Sequence, residues 1–228
     1  MPEPVPNPQL LQALGRLARG LSALFWGLPL ALILCFQTAR TDWLGAFGIL
    51  PPLLTTSLLL HGVLEMRHFR QQETAWRRAL ERAQLLALVN VGLSPFLFWW
   101  SQAPGQPLFN SAVGLLALSG LVFLSHLNLV LRRLGALLPD ETLRHETTQF
   151  TSFNRGLLAV TTLLTALVVG SLAWHHPLPL GLAYTVAVAE HFGLWLLVFF
   201  VLLPLAMTMA LLWKTKEVIL AGVFGGTR

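Results

Sequence analysis

Residues 108–133 read LFNSAVGLLALSGLVFLSHLNLVLRR, a stretch with no charged side chain until the arginine pair Arg132-Arg133. A helix over positions 108–131 would be about 36 Å long, which is enough to cross the roughly 30 Å hydrocarbon core of a bilayer. Arginines directly after such a run are typical of its cytoplasmic end. The stretch therefore predicts a transmembrane helix that ends at the cytoplasmic face.

The composition of the whole chain points to the same class. Hydrophobic residues make up 55% of the 228 positions and charged residues only 11%, less than half of the roughly 25% charge found in soluble domains. A surface with so little charge has to face lipid. The net charge of +5 does not predict nucleic acid as a partner, because the basic residues lie in loops beside apolar runs.

Six apolar runs predict an all-α polytopic membrane protein with about six transmembrane helices. The expected domain organisation is a cytoplasmic lead over 1–19, a transmembrane domain over 20–213 with cytoplasmic hairpin ends near 65–82 and 132–155, and a cytoplasmic tail over 214–228. The predicted spans are 20–36, 43–64, 83–101, 108–131, 156–174 and 192–213.

The distribution of basic residues sets the orientation. Of the 15 Lys and Arg residues, only Arg40 falls on the outer side when the six runs are threaded through a bilayer. Because cytoplasmic loops carry the excess of Lys and Arg, both termini are predicted to be cytoplasmic, in the inner membrane of a bacterium. The single Cys35 lies inside the first run, so neither a disulfide nor a thiolate metal cluster is expected.

Two segments of the chain resemble each other. His61 precedes Arg67 by six residues as His126 precedes Arg132, and the triplet Leu-Leu-Ala follows in each case, at 85–87 and at 157–159. These matches predict two parallel-repeat helical hairpins flanked by the first and last helices. Chance similarity between leucine-rich segments is the alternative.

Prolines and helix formers predict local geometry. Pro51-Pro52, Pro95 and Pro204 fall inside predicted spans, where each is expected to kink its helix. The segment 73–88 has no Gly or Pro and is rich in strong helix formers, so the first cytoplasmic hairpin end is expected to be helical.

In the last run, counting back from Lys214 places Glu190-His191 at the outer membrane boundary.

Two groups of histidines could bind a cofactor. His61 and His126 are predicted at one depth on two helices, so they could be the axial ligands of a haem b; interhelical hydrogen bonding is the alternative, under which no cofactor is expected. His175, His176, Glu190 and His191 lie near the outer face and have side chains that bind Zn²⁺ or copper. However, no two of these histidines have the four-residue spacing that would place both ligands on one helical face.

Arginines at the predicted cytoplasmic hairpin ends are candidates for docking. They could anchor the helices by charge alone, or they could bind anionic lipid head groups or a protein partner. The candidate residues are Arg67, Arg70, Arg77, Arg78, Arg82, Arg132 and Arg133.

The sequence lacks the motifs of the common enzyme classes. The sequence contains no phosphate-binding Gly-rich loop, no nucleophile elbow and no zinc-protease motif, which argues against an enzyme without excluding one. We expect an accessory, scaffold or assembly subunit of a membrane complex, with protein partners in the membrane or with further copies of itself. The alternatives are a small oligomeric channel or transporter and a b-type haem or quinone-linked redox subunit.

Overall fold

The fold is helical throughout the part of the chain that the structure describes. A computed structural model describes the backbone of residues 8–40, 46–69, 73–103, 105–137, 141–173 and 198–224, and every regular element in these ranges is a helix. The all-α prediction is confirmed for them. The elements are α1 (Pro8–Arg40), α2 (Leu50–Met66), α3 (Thr74–Leu93), α4 (Phe96–Gln102), α5 (Pro107–Leu137), α6 (Glu141–Ala173), a π-helical turn (Val198–Leu202) and α7 (Leu203–Phe224).

Within the part of the chain that the structure describes, four helical segments are long and apolar enough to cross a membrane. They are Leu11–Arg40, Thr74–Gln102, Pro107–Leu137 and Phe199–Ala221. The second of these combines α3 and α4, which the Ser94-Pro95 pair separates. Length and composition therefore place the chain among membrane proteins, with four helices that meet both criteria.

The helices pack mainly in chain order and the bundle closes through α7. Helix α2 packs against α1 and α3, α3 against α5, and α5 against α6, while α7 packs against α1, α5 and α6. The core contains completely buried apolar side chains from α1, α2, α3, α5, α6 and α7. Its largest members include Leu21, Met66, Trp76, Phe123, Leu131, Leu158 and Leu212.

Helices α1 and α2 approach each other closely at two glycines. An added Cβ on Gly20 of α1 would lie 2.6 Å from the carbonyl oxygen of Gly62 on α2, and one on Gly62 would lie 3.0 Å from the carbonyl oxygen of Gly20. Small residues at a helix crossing let two backbones approach in this way, as is common in membrane bundles. The two glycines therefore set the α1–α2 distance.

The expectation that Pro51-Pro52 would kink a helix is wrong. Helix α2 begins at Leu50 rather than at position 43, so both prolines occupy its first turn. No helical hydrogen bond is lost there, because the first N–H groups of a helix have no intrahelical acceptor. The second helix is accordingly shorter than predicted, with 17 residues.

The other two prolines do interrupt their helices. Pro95 separates α3 from α4 and leaves the Val91 carbonyl without its usual N–H donor; the Ser94 hydroxyl donates to that carbonyl at 3.0 Å. Pro204 follows the π-helical turn Val198–Leu202 at the start of α7.

The predicted helical hairpin end is confirmed. Helix α3 begins at Thr74 with Glu73 as its N-cap residue and continues past position 88. In the second hairpin, α5 continues to Leu137 and α6 begins at Glu141, so most of 132–155 is helical as well.

Candidate functional site

A cluster of neutral polar side chains joins α5, α6 and α7 inside the bundle. Asn128 of α5, Asn154 of α6 and Thr208 of α7 are each completely buried. Thr208 lies one turn after Pro204, whose carbonyl is also part of the cluster. We call these three side chains the Asn–Thr cluster.

Hydrogen bonds connect every member of the Asn–Thr cluster. Nδ2 of Asn128 donates to Thr208 Oγ1 at 2.9 Å and to the carbonyl of Leu124 at 2.8 Å. Nδ2 of Asn154 lies 3.2 Å from Asn128 Oδ1, 3.1 Å from Thr208 Oγ1 and 3.2 Å from the Pro204 carbonyl. Thr208 Oγ1 in turn donates to the Pro204 carbonyl at 2.7 Å. Three helices are thus cross-linked at one level of the bundle.

A second polar contact supports α7 where proline interrupts it. A proline at 204 cannot donate to the carbonyl of Phe200, four residues earlier. Thr161 of α6 supplies a donor, with its Oγ1 at 3.0 Å from that carbonyl and at 2.8 Å from the carbonyl of Leu157. A side chain from a neighbouring helix therefore compensates for the missing N–H, as the apolar surroundings of a membrane helix require.

Three polar atoms on the inner face of α6 have no hydrogen-bond partner. They are Thr147 Oγ1, Thr151 Oγ1 and Asn154 Oδ1, and all three residues are at most 1% exposed. The spacing of four and then three residues puts them on one face of α6, about 6 Å and 4.5 Å apart along the axis. Buried threonines elsewhere, such as Thr215, bond to a carbonyl of their own helix. The inner face of α6 therefore retains hydrogen-bonding capacity.

The fully buried polar side chains among the residues whose burial the structure describes are Thr, Ser and Asn. Two half-buried ionisable residues also have an atom shielded from solvent and without a hydrogen-bond partner, Glu65 at Oε2 and Arg133 at Nε. Hydroxyl and amide groups without an adjacent base are poor nucleophiles and do not serve as general acids or bases. The Asn–Thr cluster can orient helices or hydrogen-bond a neutral or charged solute, but it does not by itself supply acid–base chemistry.

The candidate arginines divide into three groups. Arg67 and Arg77 line one cavity between the end of α2 and the start of α3. Arg78 and Arg82 lie exposed on α3 and are not among the residues that line this cavity. Arg132 is exposed and Arg133 half-buried near the end of α5, and Arg70 lies outside the described residues.

The two histidines proposed as haem ligands lie on helices with different main neighbours. His61 is exposed on α2, which packs against α1 and α3. His126 is half-buried on α5, with Nδ1 at 3.0 Å from the Val122 carbonyl of its own helix. The haem hypothesis stays a prediction. A visible absorption spectrum tests it, because haem ligation by these residues requires a Soret band that His61→Leu or His126→Leu removes.

The predicted outer-face metal ligands cannot be located. His175, His176, Glu190 and His191 all lie outside the residues that the structure describes, as does the predicted boundary position of Glu190. Across the described ranges, no group of three or more His, Cys, Asp or Glu side chains could hold a metal ion.

The sequence pattern does not identify the Asn–Thr cluster. Asn154 falls in a segment predicted to be cytoplasmic, and Thr208 lies among apolar residues where single threonines are common. The available signal was the proline four residues before Thr208, which predicts a freed carbonyl nearby. Which helix would supply the partners depends on packing, which the sequence pattern leaves open.

No protein-family model, no curated protein and no solved structure matches this chain. A function for it therefore has to be inferred from its own residues.

Proposed function

We propose that the chain is a six-helix protein of a bacterial inner membrane and acts as a non-catalytic accessory, scaffold or assembly subunit of a membrane complex. Both termini are cytoplasmic in this proposal, and α2 and α6 cross the bilayer together with the four helices that meet the length and hydropathy criteria. The 17 residues of α2 extend about 26 Å, close to the hydrocarbon thickness.

Exposed aromatic side chains on α6 carry the proposal. Phe150 and Phe153 are 44% and 62% exposed and lie three residues apart, hence on one face. Both precede Arg155, in the part of α6 that the distribution of basic residues assigns to the cytoplasmic side. Helix α6, with 33 residues, is about 50 Å long and exceeds the hydrocarbon thickness by about 20 Å. Asn154, next to Phe153, bonds to Thr208 of a predicted span, so in this proposal the two rings lie near the cytoplasmic boundary of the bilayer. Large apolar side chains exposed at this boundary favour contact with a partner.

The neutral interior supports a non-catalytic role. Several buried polar groups of the described helices hold helices together or compensate for prolines. Enzymes, by contrast, place perturbed titratable groups in a cleft. A rigid bundle that offers exposed helix surface is what an assembly subunit needs.

Co-purification with a matched pair of variants tests the proposal. Phe153 and Leu163 lie on the same helix and are each 62% exposed, but only Phe153 lies in the segment assigned to the cytoplasm. In mild detergent we expect a partner at a fixed ratio to the wild type and to Leu163→Ala, and its loss from Phe153→Ala. Mass spectrometry then identifies the partner as another protein or a second copy. Purification without a partner, or equal losses from both variants, would contradict the proposal.

A small oligomeric channel or transporter is the second candidate. The unpartnered polar atoms of Thr147, Thr151 and Asn154 form a column on α6, and such a column could hydrogen-bond a permeating solute or water. Solute flux into proteoliposomes that Asn154→Leu abolishes, measured with protein that purifies without a partner, would favour this candidate over the first.

A further inference from the structure

A cavity of about 540 Å³ opens between the end of α2 and the start of α3. Its volume lies within the range of small-molecule sites, roughly 300–1,000 Å³. Residues near the end of α2 and residues at the start of α3 both contribute to its wall. They include Leu64, Arg67, His68, Trp76, Arg77 and Leu80.

The floor of the cavity is apolar and held in place. Trp76 and Leu80 are 1% and 3% exposed. The indole Nε1 of Trp76 donates to the carbonyl of Phe69 at 3.0 Å, and the Phe69 ring packs edge-on against the Trp76 ring. Trp76 and Leu80 therefore fix the shape of the floor, while Leu64, which is 36% exposed, supplies apolar surface that a ligand can contact.

The rim of the cavity is cationic. Arg67 and Arg77 are exposed beside the imidazole of His68. Helix α3 has Glu73 as its N-cap residue, without a side-chain cap hydrogen bond. Because this carboxylate already lies at the positive end of the helix dipole, the arginines provide the attraction for an anion.

One carboxylate reduces this positive charge. Glu81 also lines the cavity and pairs with Arg77 at 3.3 Å, with both side chains more than half exposed. Exposed pairs of this kind contribute little free energy, so Arg77 can exchange Glu81 for a stronger anionic partner at small cost.

We propose that this cavity binds the head group of an anionic phospholipid, with the phosphate held by Arg67 and Arg77 and the glycerol region against Leu64. The arginine fork matches phosphate oxygens in a bidentate manner. The apolar floor argues for a lipid rather than free phosphate, which has no surface to place there. Leu64 precedes Arg67 by one turn on the side predicted to face the hydrocarbon, where acyl chains would continue. The proposal requires only that the chain is in a membrane, and it stands whether or not the chain is a complex subunit.

The test measures lipid binding to the purified full chain in detergent by native mass spectrometry. The probes are phosphatidylglycerol, phosphatidylcholine and inorganic phosphate. The Arg67→Gln, Arg77→Gln double variant removes two charges from the rim of the cavity. The Arg78→Gln, Arg82→Gln double variant removes two charges from exposed positions on the same helix and serves as the control.

We expect wild type to prefer phosphatidylglycerol to phosphatidylcholine and the Arg67, Arg77 double variant to lose about tenfold or more in affinity for it, since one charge-assisted hydrogen bond is worth that much. The control should change the affinity less than threefold. Glu81→Gln should raise the affinity, a gain that misfolding cannot produce. Equal losses of affinity from the two double variants would show that the lipid is attracted by positive charge in general and not by this cavity, and would overturn the proposal. Displacement of the lipid by equimolar inorganic phosphate would overturn it too.

Discussion

At the scale of single residues, two threonines of α7 have the same burial and different partners. Thr208 and Thr215 are both completely buried, and each donates to the carbonyl four residues earlier at 2.7 Å. Only Thr208 also accepts hydrogen bonds from side chains of other helices, those of Asn128 and Asn154. The pair therefore separates the contribution of interhelical bonds from that of a buried hydroxyl.

Thr208→Val should destabilise the bundle more than Thr215→Val. Each variant replaces a hydroxyl with a methyl group of similar volume, but only the first removes two interhelical acceptor contacts. Such bonds average about 0.6 kcal/mol in membranes, so we expect a difference of about 1 kcal/mol in the free energy of unfolding. Unfolding in mixed micelles by SDS titration measures it. Equal midpoints for the two variants would show that the Asn–Thr cluster does not hold the helices together.

What the sequence predicts about residues is their kind of environment, not their partners. The placement of Arg67 after an apolar run predicts the end of a helix, and α2 does end at Met66. Arg67 and Arg77 share a cavity with Trp76. This arrangement depends on how α2 and α3 are oriented relative to each other, which residue spacing does not predict. The contact of Asn154 with a helix fifty residues later in the chain depends likewise on the closure of the bundle.

At the scale of helices, the α1–α2 pair depends on a close backbone approach. Gly20→Ala would place a Cβ at 2.6 Å from the Gly62 carbonyl, whereas an added Cβ on Gly15 of the same helix meets nothing within 4 Å. We expect Gly20→Ala to destabilise by about 1–3 kcal/mol through overpacking and Gly15→Ala to be neutral or stabilising by up to about 1 kcal/mol. Thermal unfolding in detergent measures both variants. A neutral Gly20→Ala would show that the two helices do not cross at these glycines.

The contact between Thr161 and the π-helical turn can be tested by a double-mutant cycle. Thr161→Val removes the donor to the Phe200 carbonyl, and Pro204→Ala returns a backbone N–H that can serve this carbonyl. Thr161→Val should therefore cost less in the Pro204→Ala background than in the wild type, with a coupling energy of about 0.5–3 kcal/mol. Unfolding free energies of the four proteins measure it, and equal costs in both backgrounds would refute the compensation.

In the two proposed hairpins, the first helices bury matching positions, but the second helices do not. Leu59 of α2 and Leu124 of α5 are both buried, as are Met66 and Leu131. The two residues of each pair are as far apart in the sequence as His61 and His126. In the second arm, however, Ala87 is buried while Ala159 of the matching triplet is exposed. The duplication inferred from these triplets stays a prediction.

The inner faces of α3 and α6 also differ in polarity. Trp76, Leu80 and Ala83 are buried on α3, whereas Thr147 and Thr151 are buried on α6. Apolar periodicity alone does not predict such a difference, because it assigns every polar residue to the exposed face of a helix. For this reason the sequence pattern predicts 147–154 as part of a cytoplasmic hairpin end, although the segment contributes buried residues to the bundle.

At the scale of the whole molecule, composition predicts the class better than the number of crossings. Low charge and long apolar runs predict a helical membrane protein, and four helices of sufficient length support that class. Helix α2 is shorter than predicted because its two prolines start it at Leu50. Orientation depends on loop charge rather than on packing, so it requires a measurement in a membrane.

Cysteine accessibility in intact cells is that measurement, with Cys35 first replaced by alanine. An impermeant thiol reagent should label single cysteines introduced at Asp42, Gln106 and Pro177, on the predicted outer side. It should leave cysteines at Thr74, Ser152 and Glu217 unlabelled until the membrane is permeabilised. This pattern would establish the five crossings that follow α1, with the basic hairpin ends in the cytoplasm. Labelling of Thr74→Cys from outside together with the cysteine in the first outer loop would mean that α2 does not cross. Labelling of Thr74→Cys together with protection of Gln106→Cys would contradict the proposed orientation.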